Sequence, residues 1–352
     1  MTPLEAELRT LIATEGPIPV ARYMALCLGH PRHGYYMGRD PFGAAGDFTT
    51  APEISQMFGE LLGLWCAACW QQIGAPDPVR LVELGPGRGT LMADVLRAAR
   101  ALPAFHAALD VHLVETSPAL RARQRERLPD APVRWHDSLA EVPDGPALIL
   151  ANELFDALPV AQFVRTERGW HERCVGLDAD GHLAFGLDPR PGPAFGPALP
   201  GAVLERLDHP LVRAVPERLA AQGGAALIID YGHAASGLGD TLQAVRRHAF
   251  ADPLKDPGEA DLTAHVDFAA LARHGTAAGA RAFGPLPQGD FLRRLGLDAR
   301  AARLGRQADA ERLAGTAPGG MGGLFKVLAL VHPAAGAPPG FADAEEFGAS
   351  RT

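Results

Sequence analysis

The chain lacks an excess of positive charge, a long apolar run and any wealth of cysteine, and each shortage removes a class of function. Its 352 residues carry 33 Lys and Arg against 41 Asp and Glu, a formal charge of −8 at pH 7. A phosphate backbone needs a concentrated basic face, so nucleic acid is not expected as a partner. The densest basic stretch, Arg121, Arg123, Arg125 and Arg127, is interleaved with polar residues on a helical segment and reads as a solvated face. No apolar stretch reaches the ~18 residues that suggest a membrane helix. The start, MTPLEAELRTLIATEGPIPV, lacks a basic region followed by an apolar core. Neither membrane insertion nor export is expected, and the cytoplasm is the expected location. Of the four cysteines, Cys66 and Cys69 have CxxC spacing but lie in an amphipathic helical run without a second pair. With His248 and His265 far apart as well, no metal site is expected, and the cysteines read as buried thiols in a reducing compartment.

What is present is organised around Val79 to Arg100, VRLVELGPGRGTLMADVLRAAR. An apolar, β-branched run of strand length leads into Glu83-Leu84-Gly85-Pro86-Gly87-Arg88-Gly89, and from Thr90 apolar residues recur at helical spacing. Glycines suit a tight strand-to-helix turn because they accept positive φ and let a ligand approach bare backbone. The spacing is G-x-G-x-G, with Glu83 two residues before Gly85, not the G-x-G-x-x-G that seats a dinucleotide pyrophosphate. A carboxylate at Glu83 repels a pyrophosphate and attracts S-adenosylmethionine, which carries an ammonium and a sulfonium. The expected cofactor contacts are therefore Glu83, Gly85, Pro86, Gly87 and Gly89. Asp110 to Glu115 reads as the next parallel strand, and Glu115 at its end suits both ribose hydroxyls of an adenosine. After a third strand, Val133 to Asp137, Asp137 or Ser138 suits the adenine amino group, although either also serves as a helix N-cap.

A fourth strand, Pro146 to Leu154, stays apolar until Asn152-Glu153. Open α/β sheets bind ligands at such strand ends, and an amide buried there without partners costs about 2 to 7 kcal/mol. Phe155-Asp156-Ala157-Leu158-Pro159 closes the turn. Upstream, His30 to Glu60 combines aromatics with glycines and reads either as a lid, with Asp47, Thr50 and Glu53 turned towards the cofactor, or as an ordered wrap over the sheet. A long helix is expected from Pro52 to Gln72. Ala161 to Asp188 breaks the βα rhythm with hairpin signals at Arg168-Gly169 and Asp180-Gly181, followed by a proline and glycine connector, Pro189 to Pro200. Ala225 to Tyr231 returns to the sheet and makes Asp230 and Tyr231 secondary site candidates. Ala280 to Phe283 and Leu324 to His332 complete it. In Thr241 to Phe268, the charges at Arg246, Arg247, His248 and beyond read as surface or substrate contacts.

The expected organisation is an N-terminal helical extension and lid (1–78), a cofactor-binding half (79–160), a substrate-side insertion (161–224), a C-terminal half (225–332) and a mobile tail (333–352).

GDFTTAPEISQMFGE (Gly46 to Glu60), ELGPGRGTL (Glu83 to Leu91), ANELFDALP (Ala151 to Pro159), IIDYG (Ile228 to Gly232), DPGEADLTAHVDF (Asp256 to Phe268) and MGGLFKVL (Met321 to Leu328) occur in that order. In them the chain resembles the family of class I S-adenosylmethionine methyltransferases that includes the mitochondrial complex I assembly methyltransferase and its bacterial and slime-mould relatives. The resemblance implies an α/β, Rossmann-like, seven-stranded methyltransferase sheet with a helical N-terminal lid and an antiparallel β insertion after strand 4. It also implies methyl transfer to arginine on a protein, giving symmetric dimethylarginine on a respiratory complex I subunit. A homodimer is left open.

For such chemistry a carboxylate must orient a guanidinium and support its proton loss. Glu153 is the first choice, Asp156 the second, with Asn152 fixing either cofactor or target. Asp47 and Glu53 are alternatives if the lid closes. The competing readings are a small-molecule methyltransferase, a non-catalytic cofactor-binding assembly factor and, third, an NAD-dependent dehydrogenase.

Overall fold

The computed structural model describes residues 1–38 and 49–348, and the chain divides into two compact units. One unit draws on residues 49–155, on 210–236 and on those from 266 onward. Its strands are β1 (Val79–Leu84), β2 (Leu109–Val114), β3 (Val133–His136), β4 (Ala147–Asn152), β5 (Gly224–His233), β6 (Val266–Asp267), β7 (Arg281–Pro287) and β8 (Phe325–Val331). They form an eight-stranded sheet in the order β3-β2-β1-β4-β5-β8-β7, with β6 parallel to the end of β5. The sequence reading did not anticipate β6, because two residues carry no periodicity.

Strands β1 to β5 are mutually parallel, and β8 runs antiparallel between β5 and β7. Parallel strands are buried on both faces, which explains the unbroken apolar runs in β1 and β4. The chain leaves β1 for β2 and β3 on one side, then returns to β4 and β5 on the other. That reversal beside β1 opens a crevice at the carboxyl ends of β1 and β4, the general ligand position in open α/β sheets.

Helix α1 (Gln56–Gln72) packs against α2 (Thr90–Ala99), the helix that follows the glycine turn. The approach is close because Gly59 and Gly63 face α2: a Cβ on Gly59 would lie 2.5 Å from the Asp94 Cβ, and one on Gly63 3.0 Å from the Ala98 Cβ. The single helix expected from Pro52 to Gln72 is broken at Ser55. Its backbone is extended (φ −160°, ψ 138°) and its Oγ accepts the Met57 N–H at 3.4 Å, so Ala51–Ile54 is a separate short helix.

The tail expected to be mobile from Pro333 is tied down as far as it is described. Glu346 makes a two-pronged ion pair with Arg281 (2.8 and 2.7 Å), and Glu345 does the same with Arg294 (2.8 and 3.0 Å). The Trp65 indole N–H donates to the Pro339 carbonyl at 3.1 Å, and the Phe341 ring lies 5.4 Å from that of Phe291. Composition hid this, because the anchoring residues are spread thinly through an Ala, Gly and Pro background.

The other unit gathers the N-terminal helices Pro3–Glu15 and Val20–Gly29 with Asp156–His209 and Gly237–His265. Its strands Val160–Thr166, Gly169–Leu177, Leu183–Leu187 and Val203–Leu207, together with the two-residue Ile18–Pro19, form an antiparallel sheet. Gln243–Arg246, Ala249–Ala251 and Asp261–Thr263 form a second, three-stranded one. Leu4, Leu8, Tyr23, Met24, Val160, Val175 and Leu262 share its core. The contact boundaries therefore differ from the five expected segments. Residues 49–78 pack with the large sheet, and 161–209 belong with helices and strands distant in sequence.

A chain truncated after His332 is expected to melt lower by roughly 5 °C or more, since the tail contacts together are worth more than the ~1 kcal/mol that shifts a melt by a few degrees. An unchanged melting curve would restore the mobile tail.

Candidate active site

Glu83 sits at the end of β1 with only 3% of its surface exposed. Burial pushes its carboxyl well above the usual range. The backbone N–H of Met92, in the first turn of α2, works against that shift, and the nearby Glu115 adds to it. Its Oε2 is buried without a hydrogen-bond partner among the described residues. The turn that follows has positive φ at Gly85 (62°), Gly87 (52°) and Gly89 (78°). A side chain at Gly85 would also put its Cβ 2.8 Å from a methyl of Leu154. Pro86 is buried in the turn, and its carbonyl accepts the Gly89 N–H at 2.8 Å.

Glu115 follows directly on β2, buried, with its carboxyl raised by burial and partly lowered by the Ser117 N–H, which its Oε1 accepts at 2.8 Å. Its Oε2 accepts from Gln124 Nε2 at 3.2 Å. Gln124, on α3 (Pro118–Arg127), is a residue that sequence reasoning missed. Fully buried, it donates to the Gly87 carbonyl (2.8 Å) as well as to Glu115 and accepts the Trp135 indole N–H (2.8 Å). One amide thus ties the glycine turn, Glu115 and the third strand together. Its only signal was position, one turn after the buried Leu120 in an otherwise charged helix.

Asp137 and Ser138 lie at the end of β3, and both are exposed. Asp137 pairs with Arg121 at 2.7 Å, and the Ser138 Oγ lies 3.4 Å from Glu141.

Asn152 ends β4, and Glu153 follows with a positive φ of 51°, unusual for a non-glycine residue. The Glu153 N–H donates to the Ile229 carbonyl at 2.9 Å, which fixes the turn. Its Oε1 accepts from the Ala51 N–H at 2.9 Å and from Asn152 Nδ2 at 3.1 Å. Asn152 Oδ1 is buried without a partner among the described residues. Asp230, fully buried, caps this turn from β5, its two oxygens accepting the N–H groups of Phe155 and Tyr231, each at 2.9 Å. The secondary candidate Asp230 is thus accounted for by backbone support.

The upstream segment joins the same crevice. Thr50 is buried ahead of Ala51–Ile54, and Glu53 accepts from the Thr90 hydroxyl at 2.5 Å with Arg88 3.7 Å away. Asp47 lies outside the described residues. Asp156, three residues beyond Glu153, is buried. It is grouped with the unit that lacks the large sheet, where its carbonyl accepts the Ala264 N–H at 2.9 Å; burial, then the charges of Asp261 and Asp156, push the Tyr36 phenol up. Glu153 and Asn152 are in the large-sheet unit, and Asp156 is not grouped with them.

A Rossmann-like sheet, a glycine turn after its first strand and buried acceptors at the ends of β1, β2 and β4 define the class: an α/β protein with a site for a cationic, adenosine-bearing ligand. The chain belongs to the family of S-adenosyl-L-methionine-dependent methyltransferases, whose model matches residues 61–286. It is 40% identical to the protein arginine methyltransferase NDUFAF7 homolog, mitochondrial, of Drosophila melanogaster, over 93% of this chain and 84% of that protein. It is 38% identical to the protein arginine methyltransferase NDUFAF7, mitochondrial, of Homo sapiens, over 85% and 75%. A protein from Burkholderia thailandensis, solved with S-adenosyl-homocysteine bound, superposes with a TM-score of 0.83 at 34% identity, covering 96% of this chain and 94% of that one. The enzyme is an S-adenosylmethionine-dependent methyltransferase. The open acceptors on Glu83 and Asn152 and the bare backbone at the glycine turn fit that cofactor.

Because burial raises the Glu83 carboxyl in the folded chain, the folded state holds its proton more tightly than the unfolded one. Stability is therefore lost as pH rises from the unfolded value near 4.5 through the folded one. Glu83→Gln removes this loss, so the ligand-free variant should melt above wild type at pH 8 and gain little at pH 4.5, by thermal melts at both.

Proposed function

We propose that the enzyme methylates arginine side chains on a protein, adding one methyl to each terminal nitrogen, and that the acceptor is a subunit of respiratory complex I. The observation that carries this reading is the Asn152-Glu153 pair, a carboxylate and an amide held rigidly at the end of β4. The names of the curated relatives support the arginine acceptor. The buried, unpaired thiols fit a reducing compartment, for which we retain the cytoplasm.

On this reading Glu83 receives the cofactor's ammonium, Glu115 its ribose, and Gly85 to Gly89 give it backbone. Asp137, Ser138 and Thr50 are retained as outer contacts, with Asp47. Bound S-adenosylmethionine supplies a methyl group on a positively charged sulfur. A guanidinium, with a pKa above about 12, is a poor nucleophile while its charge is spread over three nitrogens. Glu153 draws positive charge towards the nitrogens it holds and supports proton loss from the one that reacts. The Ala51 and Asn152 donors on Oε1 keep its carboxylate from turning, and Asn152 Oδ1 accepts one further N–H from cofactor or target.

Glu153→Gln preserves the Ala51 and Asn152 hydrogen bonds while removing the charge. It should leave S-adenosylmethionine binding within about threefold by calorimetry yet slow methyl transfer by about a hundredfold or more, the usual scale for losing a general base. Glu83→Gln should instead weaken cofactor binding about tenfold or more, as expected for a missing charge-assisted hydrogen bond, and Gly87→Val should do so by placing a β-branched side chain in a turn whose φ is 52°. Mass spectrometry of a complex I subunit incubated with enzyme and cofactor should reveal symmetric dimethylarginine. A methylated small molecule in place of methylated protein, or an unchanged rate in Glu153→Gln, would overturn the assignment.

A further inference from the structure

Apart from the crevice, the large-sheet unit holds a pocket of about 530 Å³ between the start of α1, one face of α2, the end of α3 and the helix Gln307–Ala314. Thr90, Asp94 and Arg97 line it from α2, at the spacing of a single helix face, which carries the pocket about 10 Å along that helix away from the glycine turn. Glu83, Glu115, Asn152 and Glu153 do not line it.

Three acids and three arginines line the pocket, and they are sorted by depth. Each acid is turned onto a partner: Asp94 onto Arg97 (2.8 Å), Asp309 onto Arg306 (3.4 Å) and Glu53 onto the Thr90 hydroxyl (2.5 Å). Their side chains keep only 9%, 21% and 17% of their surface in water. The arginines stay outside. Arg97, although shared with Glu60, keeps 45% and Arg306 keeps 65%. Arg127, exposed at the end of α3, lies within ion-pair distance of no carboxylate among the described residues and donates to the Thr90 hydroxyl at 3.0 Å. Solvent in the pocket therefore meets guanidinium groups, on a chain of net charge −8. The starts of α1 and α2, through Gln56 and Thr90, add the partial positive charge of helix ends.

We infer that this pocket binds a small organic phosphate, its phosphate group held by Arg97, Arg127 and Arg306 and its carbon skeleton by Pro52, Ile54 and Leu304, which also line it. The arginines come from three different elements. A planar carboxylate is satisfied by one or two such groups, whereas a phosphate offers charged oxygens in several directions. Inorganic phosphate alone would leave most of the volume and the apolar wall unused, and pockets of this size take small organic molecules. The Thr90 hydroxyl, which accepts from Arg127 and donates to Glu53, joins the pocket to the short helix Ala51–Ile54. A ligand there sits beside the cofactor site without competing for it.

The test is calorimetry on the full-length enzyme saturated with S-adenosylhomocysteine, titrated with phenyl phosphate, inorganic phosphate and phenol at matched ionic strength. Wild type should bind one phenyl phosphate per chain, more tightly than inorganic phosphate, and no phenol. Arg127→Gln and Arg306→Gln should each weaken that binding about tenfold or more, the scale of one lost charge-assisted hydrogen bond. Both side chains are exposed, so both variants should melt and bind S-adenosylhomocysteine as wild type does. Arg190→Gln, which removes an exposed guanidinium from the other unit, should change nothing. Phenyl phosphate that binds only when S-adenosylhomocysteine is withheld is occupying the cofactor site and overturns the separate pocket. A wild type that binds none, arginine variants that bind as tightly as wild type, an equal loss in Arg190→Gln, or phenyl phosphate held no more tightly than inorganic phosphate overturns the assignment as well.

Discussion

A carboxylate buried at the end of a central strand is the constraint from which much of the large-sheet unit follows. Removing an ionised group from water costs of order several kcal/mol even after the surroundings relax. Glu83 recovers part of that through the Met92 N–H in the first turn of α2, where the partial positive charge of the helix end also favours an anion. For that N–H to reach back, α2 must start immediately beyond β1, which forces the tight glycine turn. The turn in turn must be held from outside, and Gln124 holds it at the Gly87 carbonyl while supporting Glu115. Glycine turn, helix start, second strand and third-strand Trp135 are thereby one hydrogen-bonded assembly. The remaining open acceptor on Glu83 fits a cationic ligand better than any group of the protein itself.

The same logic operates at the end of β4, where the strained element is Glu153. Positive φ in a non-glycine residue persists only when the surroundings over-determine it. Here Asp230 accepts the Phe155 N–H just beyond it, the Ile229 carbonyl takes the Glu153 N–H, and the Ala51 N–H holds its side chain. The strain sets the carboxylate at the crevice instead of along the strand. The short helix Ala51–Ile54 is fastened at both ends, to Glu153 through Ala51 and to Thr90 through Glu53, so cofactor turn and strand-end carboxylate are supported by the same four-residue segment.

The core strands were legible because parallel strands must be apolar throughout, and the acids Glu83, Glu115 and Glu153 were legible because each interrupts such a run at a fixed place. What escaped was whatever depends on distant partners. Asp156 is three residues beyond Glu153, and nothing local marks that the chain passes between units at Phe155. Gln124 looked like one more polar residue on a charged helix. The strand Val203–Leu207 lies just past the connector in a stretch with no clear period, and Gln243–Arg246 was hidden in a segment read as surface or substrate contacts, since both are defined by partners elsewhere along the chain. The tail is the same case: Glu345 and Glu346 mean little until Arg294 and Arg281 are opposite them.

With arginine as the proposed acceptor both reactants are cations, which an acidic enzyme suits, and the charge argument then separates binding from turnover. The field of a −8 chain concentrates arginine and S-adenosylmethionine alike. Methylation leaves the guanidinium charged, so the product is attracted as strongly as the substrate, and charge cannot drive release. What each transfer does remove is an N–H donor. In the role proposed for it, Glu153, fixed by two donors on one oxygen, recognises the guanidinium by its N–H groups as well as its charge. Each added methyl therefore weakens the grip by taking away a donor and adding volume. On this reading the rigidity of the Asn152-Glu153 turn sets both where the first methyl is received and when a methylated arginine is let go.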